Sequence, residues 1–192
     1  MNESDLIYFY EIFSALEYYG NATGVFNVIN ETEYSDTLIT SNGNNQNSID
    51  TDVFISYSRK DTEQIKSIIN LLNEMKIKYW IDVNDAYSGD NYKSTIYDAI
   101  LHTKIVLFIS SENSNKSLNV EKEISIADEQ KKIIIPIKID TSTYSRSISY
   151  DISSIDAIDY SERKVETLKK IKNSILAKIA IHYVTEKSKL QN

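Results

Sequence analysis

Glu123 is the side chain on which a chemical reading of this 192-residue chain turns. It closes the run Ser117-Leu118-Asn119-Val120-Glu121-Lys122-Glu123, and Ile124 and Ala127 follow it. Neighbours on a helix point about 100° apart. Glu121 then turns toward water, while Glu123 flanks the apolar face of Val120, Ile124 and Ala127. A carboxylate so placed can project into a crevice at the carboxyl end of a sheet, where open α/β sheets hold ligands. Spacing alone fits a solvated or ion-paired glutamate better than a reacting one. Other candidates gather in and beside the loops: Tyr57, Arg59 and Lys60, then Asp82, Gly89 and Tyr92. Arg59 and Lys60 can meet an anionic ligand or merely keep a loop soluble. Asp82 can bind a ligand or cap a strand end. Tyr57 and Tyr92 offer rings for stacking, though Tyr92 at a helix start suits packing as well.

The elements that must hold these residues follow from periodicity. Asp52 to Asp61 reads DVFISYSRKD, an apolar run ending in a polar cluster, the pattern of a strand buried on both faces. From Asp61 the period changes, and Ile65, Ile68, Ile69, Leu71, Leu72 and Met75 mark a helix face. Ile77–Asp82 is a second buried strand, and 83–91 a loop containing Gly89. Tyr92–His102 is a helix, Lys104–Ser110 a third strand, and Ser111–Lys116 a polar loop. Ser117 caps the helix that carries Glu123. Lys132–Ile139 is a fourth strand whose Pro136 suits a strand end or sheet edge. Residues 140–153 read as irregular, Ile155–Ile158 as a short fifth strand, and Ser161 to about Val184 as a closing helix. The expected fold is α/β: a flavodoxin-like parallel sheet of five strands in the order 2-1-3-4-5, with helices on both faces. A short N-terminal helical appendage over residues 4–19 precedes it. The expected divisions are an acidic accessory segment at 1–40, a polar linker at 41–50, the main domain at 51–184 and a tail at 185–192.

Composition removes several classes of function. With no cysteine and only His102 and His182, thiolate metal sites and a Ser-His-Asp triad have little to draw on. No metal is expected. Residues 1–50 hold eight acidic residues and no Lys or Arg, while the remainder holds 20 acidic against 21 basic. No strongly basic face is therefore available for nucleic acid. There is no glycine-rich phosphate loop, no apolar run of membrane-spanning length and no secretory start. A cytoplasmic protein is expected.

The same residues carry a resemblance. DVFISYSRKD resembles the first signature box of the Toll/interleukin-1 receptor (TIR) domain family. Lys78-Tyr79-Trp80-Ile81-Asp82 followed by Gly89 resembles its second box, with the so-called BB loop. The strand ending in Ser110-Ser111, and Ile133 to Asp140, resemble its third and fourth strands. The resemblance covers about Thr51 to Ala180. Glu123 takes the position of the glutamate that enzymatic members use to cleave NAD, and Asn119 stands where the family carries an aromatic residue. The resemblance thus implies a bacterial-type enzyme that breaks the nicotinamide–ribose bond of NAD, its substrate rather than a cofactor. The products would be nicotinamide and ADP-ribose, or a cyclic or conjugated form of it. It implies Glu123 as catalytic residue, with Tyr57, Arg59, Lys60, Asp82, Gly89, Tyr92, Ser110 and Asn119 at the substrate. Homo-oligomers through the BB loop, a downstream effector sensing the product, and a role in antiphage defence like that of Thoeris proteins are further implications. The alternative is a non-catalytic adaptor that pairs with other TIR domains.

Overall fold

A computed structural model describes residues 51–82 and 90–189. The expectations for residues 1–50, for the loop around Gly89 and for residues 190–192 lie outside the described residues. Five parallel strands form one sheet in the order β2-β1-β3-β4-β5. They are β1 (Thr51–Ser56), β2 (Tyr79–Ile81), β3 (Thr103–Ser110), β4 (Ile133–Lys138) and β5 (Ile158–Asp159). The helices are α1 (Lys66–Glu74), α2 (Asp90–His102), α3 (Leu118–Glu129), α4 (Arg146–Asp151) and α5 (Val165–Lys189). Short 3-10 turns occupy Arg59–Asp61 and Ser114–Lys116.

Strand alternation divides the core into two layers. Val53, Ile55 and Tyr57 face one way, with Ile105, Leu107 and Ile109 of β3, and meet Ile68 and Leu72 of α1 and Ile171, Ile175 and Ile179 of α5. Phe54, Val106 and Phe108 face the other way and meet Ile100 of α2, Val120 and Ile124 of α3, and Ile148 of α4. Phe54 stacks on Trp80, ring centroids 4.8 Å apart and planes 7° from parallel. Each such side chain, taken fully from water, contributes about 1.5–3 kcal/mol. β1 is pinned at its N-terminal end as well: Asp52 pairs with Lys104 and accepts from the backbone N–H of Lys78.

Three expectations change. Residues 140–153 are not wholly irregular, because Ser145 caps α4, its hydroxyl accepting from the Ile148 N–H, and Ile148 and Ile152 anchor the segment in the core. The fifth strand begins at Ile158 rather than Ile155, and Ile155 packs instead against the second core layer. The closing helix starts at Val165 and runs through residues 185–189. Its start is delayed because Asp159 Oδ1 takes both the N–H and the hydroxyl of Ser161, and Arg163 turns with φ 51°. Its end is extended because Glu186-Lys187-Ser188-Lys189 carries no breaker. Pro136 lies in mid-strand, yet β5 pairs only with Ile137 and Lys138, so opposite Pro136 the strand is a local edge.

Candidate functional site

The site grows from two elements of the second layer. On β1 the face that carries Phe54 continues to Ser56, so a hydroxyl follows an aromatic ring along one row. Ser56 is fully buried. On α3 the buried positions are Val120, Glu123, Ile124 and Ala127, the i, i+3, i+4, i+7 stripe of a core-facing helix. Glu123 is therefore inside the apolar face rather than beside it, and only 6% exposed. The two polar residues meet: Ser56 Oγ donates to Glu123 Oε2 at 2.6 Å. Among the described residues no other hydrogen bond reaches this carboxyl. Burial pushes the Glu123 pKa up to about 8; the Ser56 hydrogen bond and the nearby Arg59 charge work in the opposite direction, and Asp82 adds to the rise. Burial thus favours the protonated carboxyl at neutral pH.

Beside it stands a second polar group. Arg59 Nη2 donates to Asp82 Oδ2 at 2.6 Å, joining the loop after β1 to the end of β2. Tyr57 donates its hydroxyl to the Asp82 carbonyl at 3.2 Å. Its ring is packed in the first core layer and 7% exposed, which leaves little face for stacking. Lys60 is exposed, as is Asn119 on the first turn of α3. Ser110 is buried at the end of β3, where its hydroxyl accepts from Asn115 Nδ2 at 3.4 Å. Gly89 lies outside the described residues, as does the side chain of Tyr92. Of the residues singled out from sequence, Tyr57, Arg59, Asp82 and Glu123 thus form one cluster. Ser110 and Asn119 bond to none of them.

A buried network holds the loops that frame this cluster. Asp61 is 2% exposed and accepts from Ser111 Oγ at 2.5 Å and Asn113 Nδ2 at 2.6 Å. The Ser58 N–H donates to Ser114 Oγ at 3.0 Å. The loops after β1 and β3 are thereby tied across the switch point of the sheet. Neither Ser56 nor Asp61 stood out from sequence as a site-building residue. Alternation from Phe54 is the signal that marks Ser56. A separate cleft of about 710 Å³ opens beside Asn115, Asp140, Ser142 and Tyr144. Glu123 is not in its wall, so the cleft and the carboxylate cluster are distinct features.

The five-stranded parallel sheet in the order 2-1-3-4-5 defines a doubly wound α/β domain, with the Ser56–Glu123 pair at the end of β1. The TIR domain family profile matches residues 53–172, and the chain belongs to this family. Over 95 residues it is 35% identical to the NAD(+) hydrolase tir-1 of Caenorhabditis elegans, a match covering 45% of this chain and 10% of that protein. The chain thus spans about a tenth of that relative's length. The TIR domain of the Toll-related receptor TRR-2 from Hydra magnipapillata shares the fold with a TM-score of 0.55 and 21% identity. That similarity covers 65% of this chain and 98% of the receptor domain. A TIR-STING receptor from C. gigas, solved with 2',3'-cGAMP, gives a TM-score of 0.50 and 18% identity, covering 68% of this chain and 39% of that one.

Proposed function

We propose that this TIR domain cleaves the bond between nicotinamide and ribose in NAD. The observation that carries the reading is Glu123: a carboxyl set in the apolar stripe of α3 against the end of β1, where hydrophobic packing would otherwise be cheaper. Such a position is expensive to maintain, and functional sites are where that expense recurs. The relationship to an NAD(+) hydrolase supports the substrate.

The chemistry requires little else. The C1′–N bond breaks with its electron pair going to nicotinamide, which leaves neutral. Positive charge develops on the ribose as an oxocarbenium-like centre, and an anionic carboxylate beside it lowers the barrier. Water then adds at C1′ and loses a proton, giving ADP-ribose. Capture by an atom of the same molecule gives a cyclic product, and capture by another nucleophile a conjugate. The buried carboxyl is mostly neutral before substrate arrives. The nicotinamide ring of NAD carries a positive charge, so its approach favours ionisation of Glu123 and loads the base form where it is used. In this reading Arg59 and Lys60 meet the pyrophosphate, with Asp82 orienting Arg59 through their ion pair. Gly89, Tyr92 and Asn119 complete the proposed substrate contacts, while the buried Tyr57 acts through its bond to the Asp82 carbonyl and the buried Ser110 is left out of them.

Incubation with NAD, followed by chromatography for nicotinamide, tests this directly. Release by the native chain that disappears in Glu123→Ala is the expected outcome. Equal release by both, or none under conditions of forced assembly, contradicts it. The second reading, a scaffold that only pairs with other TIR domains, draws on Asn119, which is exposed where enzymatic members carry an aromatic side chain. The biological setting we propose is antiphage defence. Cells carrying the chain should resist phage in plaque assays, and cells carrying Glu123→Ala should not.

A further inference from the structure

We propose that Ser56 is the positioning residue of this site: its strand-fixed hydroxyl holds one oxygen of the Glu123 carboxyl and leaves the other to the ligand. The inference rests on the NAD-cleaving reading for its kinetic consequence, but not for its geometric one.

The argument is one of freedom. Glutamate has three side-chain torsions, and a carboxyl near a crevice can swing among several rotamers. Serine has one torsion, and Ser56 sits on β1, an interior strand of the sheet, paired opposite Phe108 of β3. Its hydroxyl therefore lies where the sheet puts it. The 2.6 Å bond to Glu123 Oε2 transfers that rigidity to the carboxyl. Both residues are buried, so water does not compete for the bond. A reacting group has to be held within a fraction of an ångström, and groups on strands and helices do this better than groups on loops.

Among the described residues the charges facing Glu123 are few. Arg59 approaches from the loop after β1 and Asp82 from the end of β2, with opposite effects, and the Tyr57 phenol feels the carboxylate in turn. No charged group of α2, α4 or β4 contributes to its titration among the described residues. Among the described residues Ser56 is thus the one neutral partner, and its substitution changes no formal charge. A hydroxyl donating to a carboxylate favours the ionised form. Losing it should raise the pH at which Glu123 ionises as well as loosen its orientation.

The test compares the native chain with Ser56→Ala, using Ser56→Thr to restore a hydroxyl and Glu123→Gln to assign the signal. Carbon-13 NMR of labelled glutamate follows the Glu123 carboxyl as pH rises. Steady-state nicotinamide release from NAD gives kcat and KM across the same range. The expected result in Ser56→Ala is a titration midpoint displaced upward and an acid limb of kcat/KM displaced with it. The expected fall in kcat is about ten- to a hundredfold, with KM little changed and Ser56→Thr recovering part of the loss. A midpoint and pH profile that superimpose on the native ones overturn the proposal, even if the rate falls. If Glu123→Gln releases nicotinamide as fast as the native chain, the NAD-cleaving reading fails, and the NMR titration still decides the role of Ser56.

Discussion

A carboxyl placed among isoleucine, valine and alanine is paid for in stability unless it stays neutral. Glu123 has an ordinary value of 4.5 that burial pushes up to about 8. Between those two values the folded chain keeps a proton that the unfolded chain has released, so stability falls as pH rises through that window and levels off above it. Each pKa unit corresponds to about 1.4 kcal/mol. Glu123→Gln keeps the shape, the bond to Ser56 and neutrality at every pH. Its melting temperature should match the native one near pH 5 and exceed it by several degrees above pH 8; a constant difference across pH would contradict the burial argument. On the proposed reading kcat/KM reports the free enzyme, so its acid limb should fall near the same value, with the limb of kcat lower because bound substrate favours the carboxylate. Glu123 was visible in sequence by its place before Ile124, but its depth was not. A helix face read from apolar residues alone holds Val120, Ile124 and Ala127, and only the structure shows Glu123 filling the gap between the first two. Ser56 is not legible in the sequence because a serine at a strand end is ordinary, and its meaning depends on a partner 67 residues away.

Most elements were legible because each declares its own period. β1, β3 and β4 are apolar runs, and α1 and α3 carry clear stripes. Where reading failed, a tertiary contact outweighed a local pattern: Ile155 looks like strand but is needed in the second core layer, and β5 follows it. Helix ends show another departure from local preference. α1 and α3 both close with a lysine in the left-handed region, Lys76 and Lys131, each at φ 53°. Both complete the same pair of bonds: Lys76 N–H to the Asn73 carbonyl and Ile77 N–H to that of Leu72, then Lys131 N–H to Asp128 and Lys132 N–H to Ala127. That is the Schellman closure, normally given to glycine. Lys76→Gly and Lys131→Gly should each stabilise the fold by about 1 kcal/mol, read as a higher urea midpoint with an unchanged slope. A lower midpoint would show that the lysine side chains contribute more than the turn costs.

For the whole molecule, both faces of the sheet are covered, and the candidate site occupies the end of the sheet where the chain order reverses. No helix among the described residues is long and apolar enough to cross a membrane. The order of the strands was legible because alternating strands and helices with right-handed crossovers admit few arrangements. Pairing between the loops was not, since Asp61, Ser111 and Asn113 meet only after the sheet has formed. The resemblance to TIR enzymes adds a proposal of assembly, with the loop around Gly89 of one protomer completing the site of another. Activity per molecule should then rise with protein concentration, and Gly89→Asp should flatten that rise; concentration-independent turnover, unaltered by the substitution, would reject it. The measurement that bears most directly on the account is release of nicotinamide from NAD by the native chain beside Glu123→Gln at pH 8. The account predicts release by the first and none by the second, although the second is the more stable protein at that pH. Equal release from both would contradict it.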